Sequence, residues 1–175
     1  SSYKIKTVLD IGTSTGVMIK TLLQQGIDAY GLDFDLLQLK EIHKKMELEN
    51  RMIYLHKDLE LSQAVELLKN KGIDIECITL LDTLRYINNF ETLFNDSKRK
   101  SVKYILIKEV STAMKNTRKD RDEWYLFSIR SLITVAKING YHLLKLFLSK
   151  FIPMPMLCYK IPYFLNVCEF SPTFT

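Results

Sequence analysis

Two glycines near the start of the chain have the spacing of a ligand-binding turn. Gly12 and Gly16 lie between the apolar residues Val8 and Leu9 and a second apolar run that begins at Val17. This pattern predicts a strand, a glycine turn and a helix. Glycine lets the backbone bend sharply and approach a ligand without a Cβ in the way, and a helix begins with unpaired N–H groups. We therefore expect a nucleotide-like ligand at this turn.

The residues around these glycines argue against two common phosphate-binding motifs. A P-loop requires Lys followed by Ser or Thr after its second glycine, whereas Val17 and Met18 follow here. The dinucleotide fingerprint requires glycine at the positions that Ser14 and Val17 occupy. Asp33 closes the second predicted strand, and a carboxylate there can accept hydrogen bonds from both hydroxyls of a ribose. The sequence thus predicts a ligand that has a ribose and needs no phosphate.

The elements that position these residues follow from the hydrophobic pattern. Apolar strand-like runs alternate with amphipathic helical runs, which is typical of an α/β fold with a parallel sheet covered by helices. We assign residues 1–175 to one domain, since this length suffices for a substantial core. A loop is predicted at 111–120 and a helix at 121–139. The predicted strands are 6–11, 28–32, 52–55, 75–81, 102–107, 141–148 and, at the edge or antiparallel, about 156–161.

Composition and charge indicate an ordinary globular protein. Hydrophobic residues make up 47% and charged residues 26% of the chain, and no stretch approaches the length of a membrane span. The net charge of +5 is moderate and by itself gives little support for a nucleic-acid partner. Cys77, Cys158 and Cys168 form no C-x-x-C pair, which argues against a disulfide framework or a zinc site. A chain without a disulfide framework fits a reducing compartment, so we expect a cytoplasmic protein.

Taken in order, the segments around these residues resemble the motifs of the class I S-adenosylmethionine-dependent methyltransferases. VLDIGTSTG and AYGLDFD are similar to that family's first and second motifs, and LHKDLE is similar to its adenine-edge motif. ITLLDTLRYI, YILIKE and INGYHLLKLF resemble its fourth, fifth and sixth strands. The resemblance covers nearly the whole chain. It implies a doubly wound, mostly parallel sheet with helices on both faces, the Rossmann-like methyltransferase fold, with an antiparallel last strand.

The resemblance also implies how the chain binds S-adenosylmethionine. The turn would pass under the methionine part, and Asp10 would help to position its ammonium group. Asp33 would hold the ribose hydroxyls, and Phe34 would lie against the adenine. Asp58 would accept from the exocyclic amine and the Leu59 N–H would reach a ring nitrogen, while the end of the fourth strand passes beside the sulfonium. The implied cofactor-binding residues are Asp10, Gly12, Thr13, Ser14, Gly16, Asp33, Phe34, Asp58, Leu59 and Leu81.

The implied reaction is methyl transfer, with S-adenosylhomocysteine as the product. The sulfonium already makes the methyl group a good electrophile, so the protein mainly has to align the attacking atom. A general base is needed only when that atom keeps a proton, as an alcohol does. We select Asp82 and Tyr86, which follow the fourth predicted strand, as catalytic candidates. As alternatives, Asp82 can cap a helix and the Tyr86 ring can be buried.

The histidines offer no clear alternative base. Related enzymes frequently have Glu-His where this chain has Arg85 and Tyr86. His43, His56 and His142 are scattered along the chain and form neither a Ser-His-Asp arrangement nor a metal-ligand set. We therefore interpret all three as structural residues and predict no metal site.

The acceptor is the least determined part of the prediction. After the fourth strand the chain has Leu81-Asp82-Thr83-Leu84 in place of the Asn-Pro-Pro-aromatic signature of base-amino methyltransferases, which argues against DNA adenine and glutamine-type targets. The sequence favours an oxygen or nitrogen atom of a small molecule or saccharide precursor. Methylation of RNA or of a protein side chain stays an alternative, as does a methyltransferase-like module that binds without catalysis.

Overall fold

The computed structural model describes residues 4–55, 61–84, 87, 93–95, 97, 102–112, 118–119, 125–150 and 163–172. The helices are α1 (Val17–Gln24), α2 (Leu37–Lys45), α3 (Leu61–Asn70) and α4 (Ile129–Ile138), and a 3-10 helix covers Glu49–Arg51. The first strands are β1 (Thr7–Ile11), β2 (Asp28–Phe34), β3 (Met52–Leu55), β4 (Cys77–Leu81) and β5 (Tyr104–Thr112). The later strands are β6 (Arg118–Lys119), β7 (Tyr125–Ser128), β8 (Tyr141–Lys150) and β9 (Tyr163–Pro172).

The central strands form a parallel sheet. β3, β2, β1, β4 and β5 lie side by side in that order, and each neighbouring pair runs parallel. β9 pairs with β5 in the antiparallel direction, and β8 pairs antiparallel with β9. The predicted α/β class, with a mostly parallel sheet and an antiparallel last strand, is confirmed.

Helices cover both faces of this sheet, as a doubly wound fold requires. Successive side chains of a strand point to opposite faces, so Ala29 and Tyr30 of β2 face opposite ways. Ala29 packs in a cluster with Ile19 of α1. Tyr30 belongs to a second, larger cluster that includes Val65 of α3 and Ala136 of α4. The central strands therefore have apolar residues on both sides, which explains their nearly continuous hydrophobic sequence.

The connection between β5 and α4 differs from the sequence prediction. β5 continues to Thr112, and β6 and β7 pair antiparallel where the sequence predicts a loop and the first turns of a helix. Ser111 and Thr112 pair with β7 and also with β9. β9 pairs with one edge of β5 from Ile105 to Thr112. β7 therefore pairs with the opposite edge of β5, the edge that pairs with β4 at residues 104–108. This long-range pairing overrides the helical spacing that Leu126 and Ile129 share.

The other strand bounds agree with the prediction to different degrees. β3 has the predicted bounds 52–55, whereas β2 continues past its predicted end to include Asp33 and Phe34. The antiparallel last strand is Tyr163–Pro172, and the predicted position 156–161 lies outside the described residues. Among the described residues, the helices are too short or too polar to cross a membrane.

A buried tyrosine joins β8 to the segment that leads into β5. The Tyr141 side chain is fully buried in the large core cluster, and its hydroxyl donates a 3.0 Å hydrogen bond to the Val102 carbonyl. Its ring contacts Phe94 edge-on, with centroids 5.7 Å apart. Burial raises the pKa of the Tyr141 hydroxyl far above its ordinary value, so it remains a hydrogen-bond donor over the accessible pH range.

We expect Tyr141→Phe to lower the free energy of unfolding by about 1–3 kcal/mol, because the variant leaves the buried Val102 carbonyl without its donor. Urea unfolding followed by circular dichroism measures this loss. An unchanged midpoint at an unchanged slope would contradict the assigned role of the hydroxyl.

Candidate functional site

The glycine turn joins the carboxyl end of β1 to α1 through alternating left-handed residues. Gly12, Ser14 and Gly16 have φ angles of 72°, 51° and 80°. The Gly12 N–H donates a 2.7 Å hydrogen bond to the Leu32 carbonyl of β2. The predicted strand, turn and helix are present, and the turn lies against the neighbouring strand. A residue with a side chain, Ser14, occupies the middle left-handed position, where glycine is normally favoured.

The two glycines are required by protein neighbours. A Cβ at Gly12 would lie 2.4 Å from the Thr83 side chain, and a Cβ at Gly16 would lie 2.7 Å from Leu48 Cδ1. Side chains from distant segments therefore occupy the space that a Cβ would need at these two positions. Close approach to a ligand is the reason predicted from the sequence for these glycines, whereas the structure shows packing against Thr83 and Leu48.

Asp33 connects β2 to the turn. Its Oδ2 accepts a 2.6 Å hydrogen bond from the Ser14 N–H, and its Oδ1 accepts a 2.7 Å hydrogen bond from the Phe34 N–H. An ionised carboxylate has about four acceptor positions, so these two bonds leave capacity for two more donors. The side chain is partly exposed at the carboxyl end of the sheet, where ligands bind in open α/β folds. Asp33 can therefore hold a ribose while it fixes the turn.

An aromatic ring lies next to this carboxylate in the chain. Phe34 is 52% exposed at the end of β2, and Val17 at the start of α1 is 59% exposed. The exposed ring of Phe34 is accessible to a flat ligand at this edge of the sheet. Asp33 and Phe34 both lie at the carboxyl end of β2, and their contacts with a ribose and an adenine stay predictions.

Asp10 is placed in the interior, where it bonds to β4. Its side chain is 3% exposed, and its Oδ1 accepts a 2.5 Å hydrogen bond from the Thr79 hydroxyl. Burial raises the pKa of the Asp10 carboxyl above 3.8; Thr79 opposes this effect, and the charge of Asp33 adds to it. Thr13 also favours the ionised form, although its buried hydroxyl has no partner of good hydrogen-bond geometry among the described residues. The residue thus holds β1 to β4 beneath the turn.

Asp82 follows β4 at the carboxyl edge of the sheet and forms an ion pair with Lys108 of β5. Asp82 follows Leu81, the last residue of β4, and has a left-handed φ of 58°. Its N–H donates to the Lys108 carbonyl and its Oδ2 accepts from Lys108 Nζ, both at 2.8 Å. Both side chains are about half-exposed. The arrangement holds a carboxylate that follows the end of β4 against an ammonium group from the middle of β5.

Thr83 brings this corner into contact with the turn. Its side chain occupies the space above Gly12, and its hydroxyl donates a 3.1 Å hydrogen bond to the Leu81 carbonyl. Asp82 therefore directly precedes the residue that packs on the glycine turn. Asp58, Leu59 and Tyr86 lie outside the described residues, so their assignments stay predictions.

The contacts of two residues, Lys108 and His43, are absent from the predictions made from the sequence. Lys108 is the partner of Asp82. His43 of α2 is fully buried, and its Nε2 lies 2.7 Å from the Ser14 carbonyl oxygen. A signal was present: His43 falls on the same helical face as Leu39, Ile42 and Met46, and a polar ring on an apolar face needs a buried partner.

Comparison with known proteins identifies the fold. No protein-family model and no curated protein sequence matches the chain. An O-methyltransferase from a trans-AT PKS multienzyme of Brevibacillus brevis, in complex with S-adenosyl-L-homocysteine, matches with a TM-score of 0.69 and 12% identity over 97% of this chain and 67% of that chain. A SAM-dependent methyltransferase from Methanosarcina mazei matches with a TM-score of 0.68 and 10% identity over 99% of this chain and 95% of that chain.

A third solved structure has the same fold and a different named reaction. The [4+2]-cyclase SpnF matches with a TM-score of 0.68 and 9% identity over 97% of this chain and 75% of that chain. The chain therefore has the Rossmann-like fold of class I S-adenosylmethionine-dependent methyltransferases. Because one fold can carry several chemistries, the reaction has to be argued from the site.

The buried carboxyl of Asp10 generates a prediction about pH. Its raised pKa means that stability from the protonated group is complete below pH 3.8 and is lost as pH rises through the folded-state pKa. We expect the free energy of unfolding of Asp10→Asn, relative to the unmodified protein, to increase as the pH rises from about 4 to 7, because only the unmodified protein loses this contribution. Urea unfolding across this range measures the difference.

Asp74→Asn is the matched control, because it makes the same change of side chain at an exposed position, where the carboxyl bears no burial cost. Parallel pH curves for the unmodified protein and Asp10→Asn would show that Asp10 ionises as it does in the unfolded chain, contrary to its burial.

Proposed function

We propose that this chain is an S-adenosylmethionine-dependent methyltransferase that acts on an oxygen or nitrogen atom of a small molecule or saccharide precursor. The main support is the Asp33 carboxylate at the carboxyl end of β2. It is joined to the glycine turn through the Ser14 N–H and keeps acceptor capacity for hydroxyl groups. One neighbour of this fold was solved in complex with S-adenosyl-L-homocysteine, which favours the same ligand here.

The residues of the site fit such a ligand. Asp33 provides acceptors for a ribose, and the exposed Phe34 ring provides a surface for a base. The turn from Gly12 to Gly16 contains no Lys or Arg, as suits a ligand without phosphate. When bound, S-adenosylmethionine supplies a methyl group on a positively charged sulfur. We assign the turn and the end of β4 at Leu81 to its methionine part, and Asp58 and Leu59 to its adenine.

The acceptor is proposed to bind beside the Asp82 corner. Thr83 sets this corner against the turn, so a group bound next to Asp82 is close to the methyl-donor site. In this proposal Asp82 accepts a hydrogen bond or a proton from the attacking atom, while Lys108 holds the carboxylate in place. Tyr86 is the second proposed catalytic residue.

Two other functions compete with this proposal. The [4+2]-cyclase neighbour is an example of this fold with a reaction other than methyl transfer. RNA or a protein side chain could also be the acceptor in place of a small molecule. The experiments below distinguish these possibilities by separating ligand binding from turnover and by sorting acceptors according to class.

We expect Asp33→Ala to weaken S-adenosylhomocysteine binding by about 10–100-fold, because hydrogen bonds to a charged group are lost. Isothermal titration calorimetry measures the affinity. The unmodified protein should also prefer 5′-methylthioadenosine over its 2′-deoxy analogue, and Asp33→Ala should abolish this preference.

Asp35→Ala provides the matched control for Asp33→Ala. Asp35 lies two residues further along and pairs with Lys40 at 2.5 Å, and the loss of a surface pair should leave affinity within about threefold. Undiminished binding by Asp33→Ala, or a retained ribose preference, would refute the ribose assignment.

For turnover, we expect methyl-labelled S-adenosylmethionine to label the low-molecular-mass fraction of an extract of the source cells. Asp82→Asn should reduce this labelling about tenfold or more while S-adenosylhomocysteine affinity stays within about twofold, since the change affects the acceptor side. The small-molecule, RNA and protein fractions are incubated separately and counted.

Label in the RNA fraction that falls steeply with added salt would support the RNA alternative, because phosphate contacts weaken with ionic strength. Label in the protein fraction would support a protein acceptor. Tight binding with no labelled fraction would favour a non-methyltransferase function.

A further inference from the structure

The middle residue of the turn adopts a backbone conformation that its side chain disfavours. Ser14 has a φ of 51° between the left-handed glycines Gly12 and Gly16. A side chain at a left-handed position costs free energy, and such a conformation persists only where neighbouring groups hold it. Ser14 itself is exposed, so packing of its own side chain does not supply this restraint.

Two hydrogen bonds hold the Ser14 backbone from opposite sides. Its N–H donates to Asp33 Oδ2 at 2.6 Å, and its carbonyl oxygen lies 2.7 Å from His43 Nε2. A carbonyl oxygen only accepts, so Nε2 must carry the proton. The peptide groups on both sides of the Ser14 Cα are thereby fixed, one from β2 and the other from α2.

His43 is in turn fixed by its surroundings. The ring is fully buried, and its Nδ1 lies 3.0 Å from the Tyr54 hydroxyl of β3. In the neutral imidazole, Nδ1 accepts from that hydroxyl, which selects the tautomer that donates through Nε2. The ring also passes close to Gly16, where a Cβ would lie 3.3 Å from His43 Cδ2. Both ring nitrogens therefore have partners and the ring has a defined orientation.

We propose that His43 is a positioning residue for the methyl donor: it holds Ser14 in the left-handed conformation and so keeps the turn attached to Asp33. This inference rests on the proposed function. If the Ser14 carbonyl were released, the backbone could relax to a right-handed conformation and withdraw its N–H from Asp33. The carboxylate would then lose the restraint that directs its remaining acceptor positions toward a ribose.

A buried histidine that served only the core would act independently of Ser14. The proposal instead requires the two residues to depend on each other, because glycine at position 14 is stable in the left-handed conformation without help. Ser14→Gly should therefore make His43 dispensable for ligand binding. Ser14→Ala should not, because alanine retains the Cβ that causes the cost.

The test is a double-mutant cycle with S-adenosylhomocysteine as the probe. By isothermal titration calorimetry, we expect His43→Leu to weaken binding about tenfold or more in the unmodified and Ser14→Ala backgrounds, and less than about threefold in the Ser14→Gly background. His43→Gln, whose amide can donate to the Ser14 carbonyl, should recover part of the affinity. This variant also serves if His43→Leu does not fold.

Equal losses from the His43 substitution in all three backgrounds would overturn the proposal. A second readout separates this failure from failure of the proposed function. The exchange rate of the Ser14 amide, measured by NMR without ligand, should rise in His43→Gln or His43→Leu and return toward its original value when Gly replaces Ser14. If the unmodified protein does not bind S-adenosylhomocysteine, the proposed function is refuted. The amide exchange rates would still show whether His43 restrains Ser14.

Discussion

The site depends on the hydrogen bond from the Ser14 N–H to the Asp33 carboxylate. Parallel strands place their carboxyl ends along one edge, but this arrangement alone does not fix a loop against its neighbouring strand. The 2.6 Å contact does so, and it orients a charged side chain at the same time. The Gly12 N–H, bonded to the Leu32 carbonyl, provides a second attachment to the same strand. Turn geometry and ligand recognition thus depend on one carboxylate.

Below the turn, the sheet holds a second carboxyl group in a more buried environment. Asp10 is buried and bonded to Thr79, whereas Asp33 is partly exposed. Each of the two residues is the last but one of its strand, and the two strands are successive in the chain. Asp10 joins β1 to β4, whereas Asp33 faces the site. Burial and hydrogen-bond partners separate their roles: desolvation raises the pKa of the Asp10 carboxyl, whereas the Asp33 carboxylate accepts two backbone hydrogen bonds at the edge of the site.

Much of the architecture could be predicted from the sequence because the spacing of apolar residues along the chain depends on which side chains are buried. Strand β3 and the alternation of strands and helices are local patterns of this kind, and the positions of Asp33 and Phe34 follow from them. Contacts between distant segments leave no such pattern. The pairing of Ser111 with both β7 and β9 was therefore beyond prediction. For His43, its place on an apolar helix face indicates a buried partner but does not identify Ser14 or Tyr54. Residues near one another in space but far apart in the chain account for most of the differences.

The packing of Thr83 on Gly12 has a consequence for how this protein can vary. A larger residue at position 12 would collide with the threonine, and removal of the threonine would leave a gap over the turn. The two positions, far apart in sequence, are therefore expected to change together or not at all in homologous chains. Redesign of the turn faces the same restriction, since its shape cannot change without a change in the segment that follows β4. Substitutions in the turn and in the segment after β4 are thus expected to depend on each other.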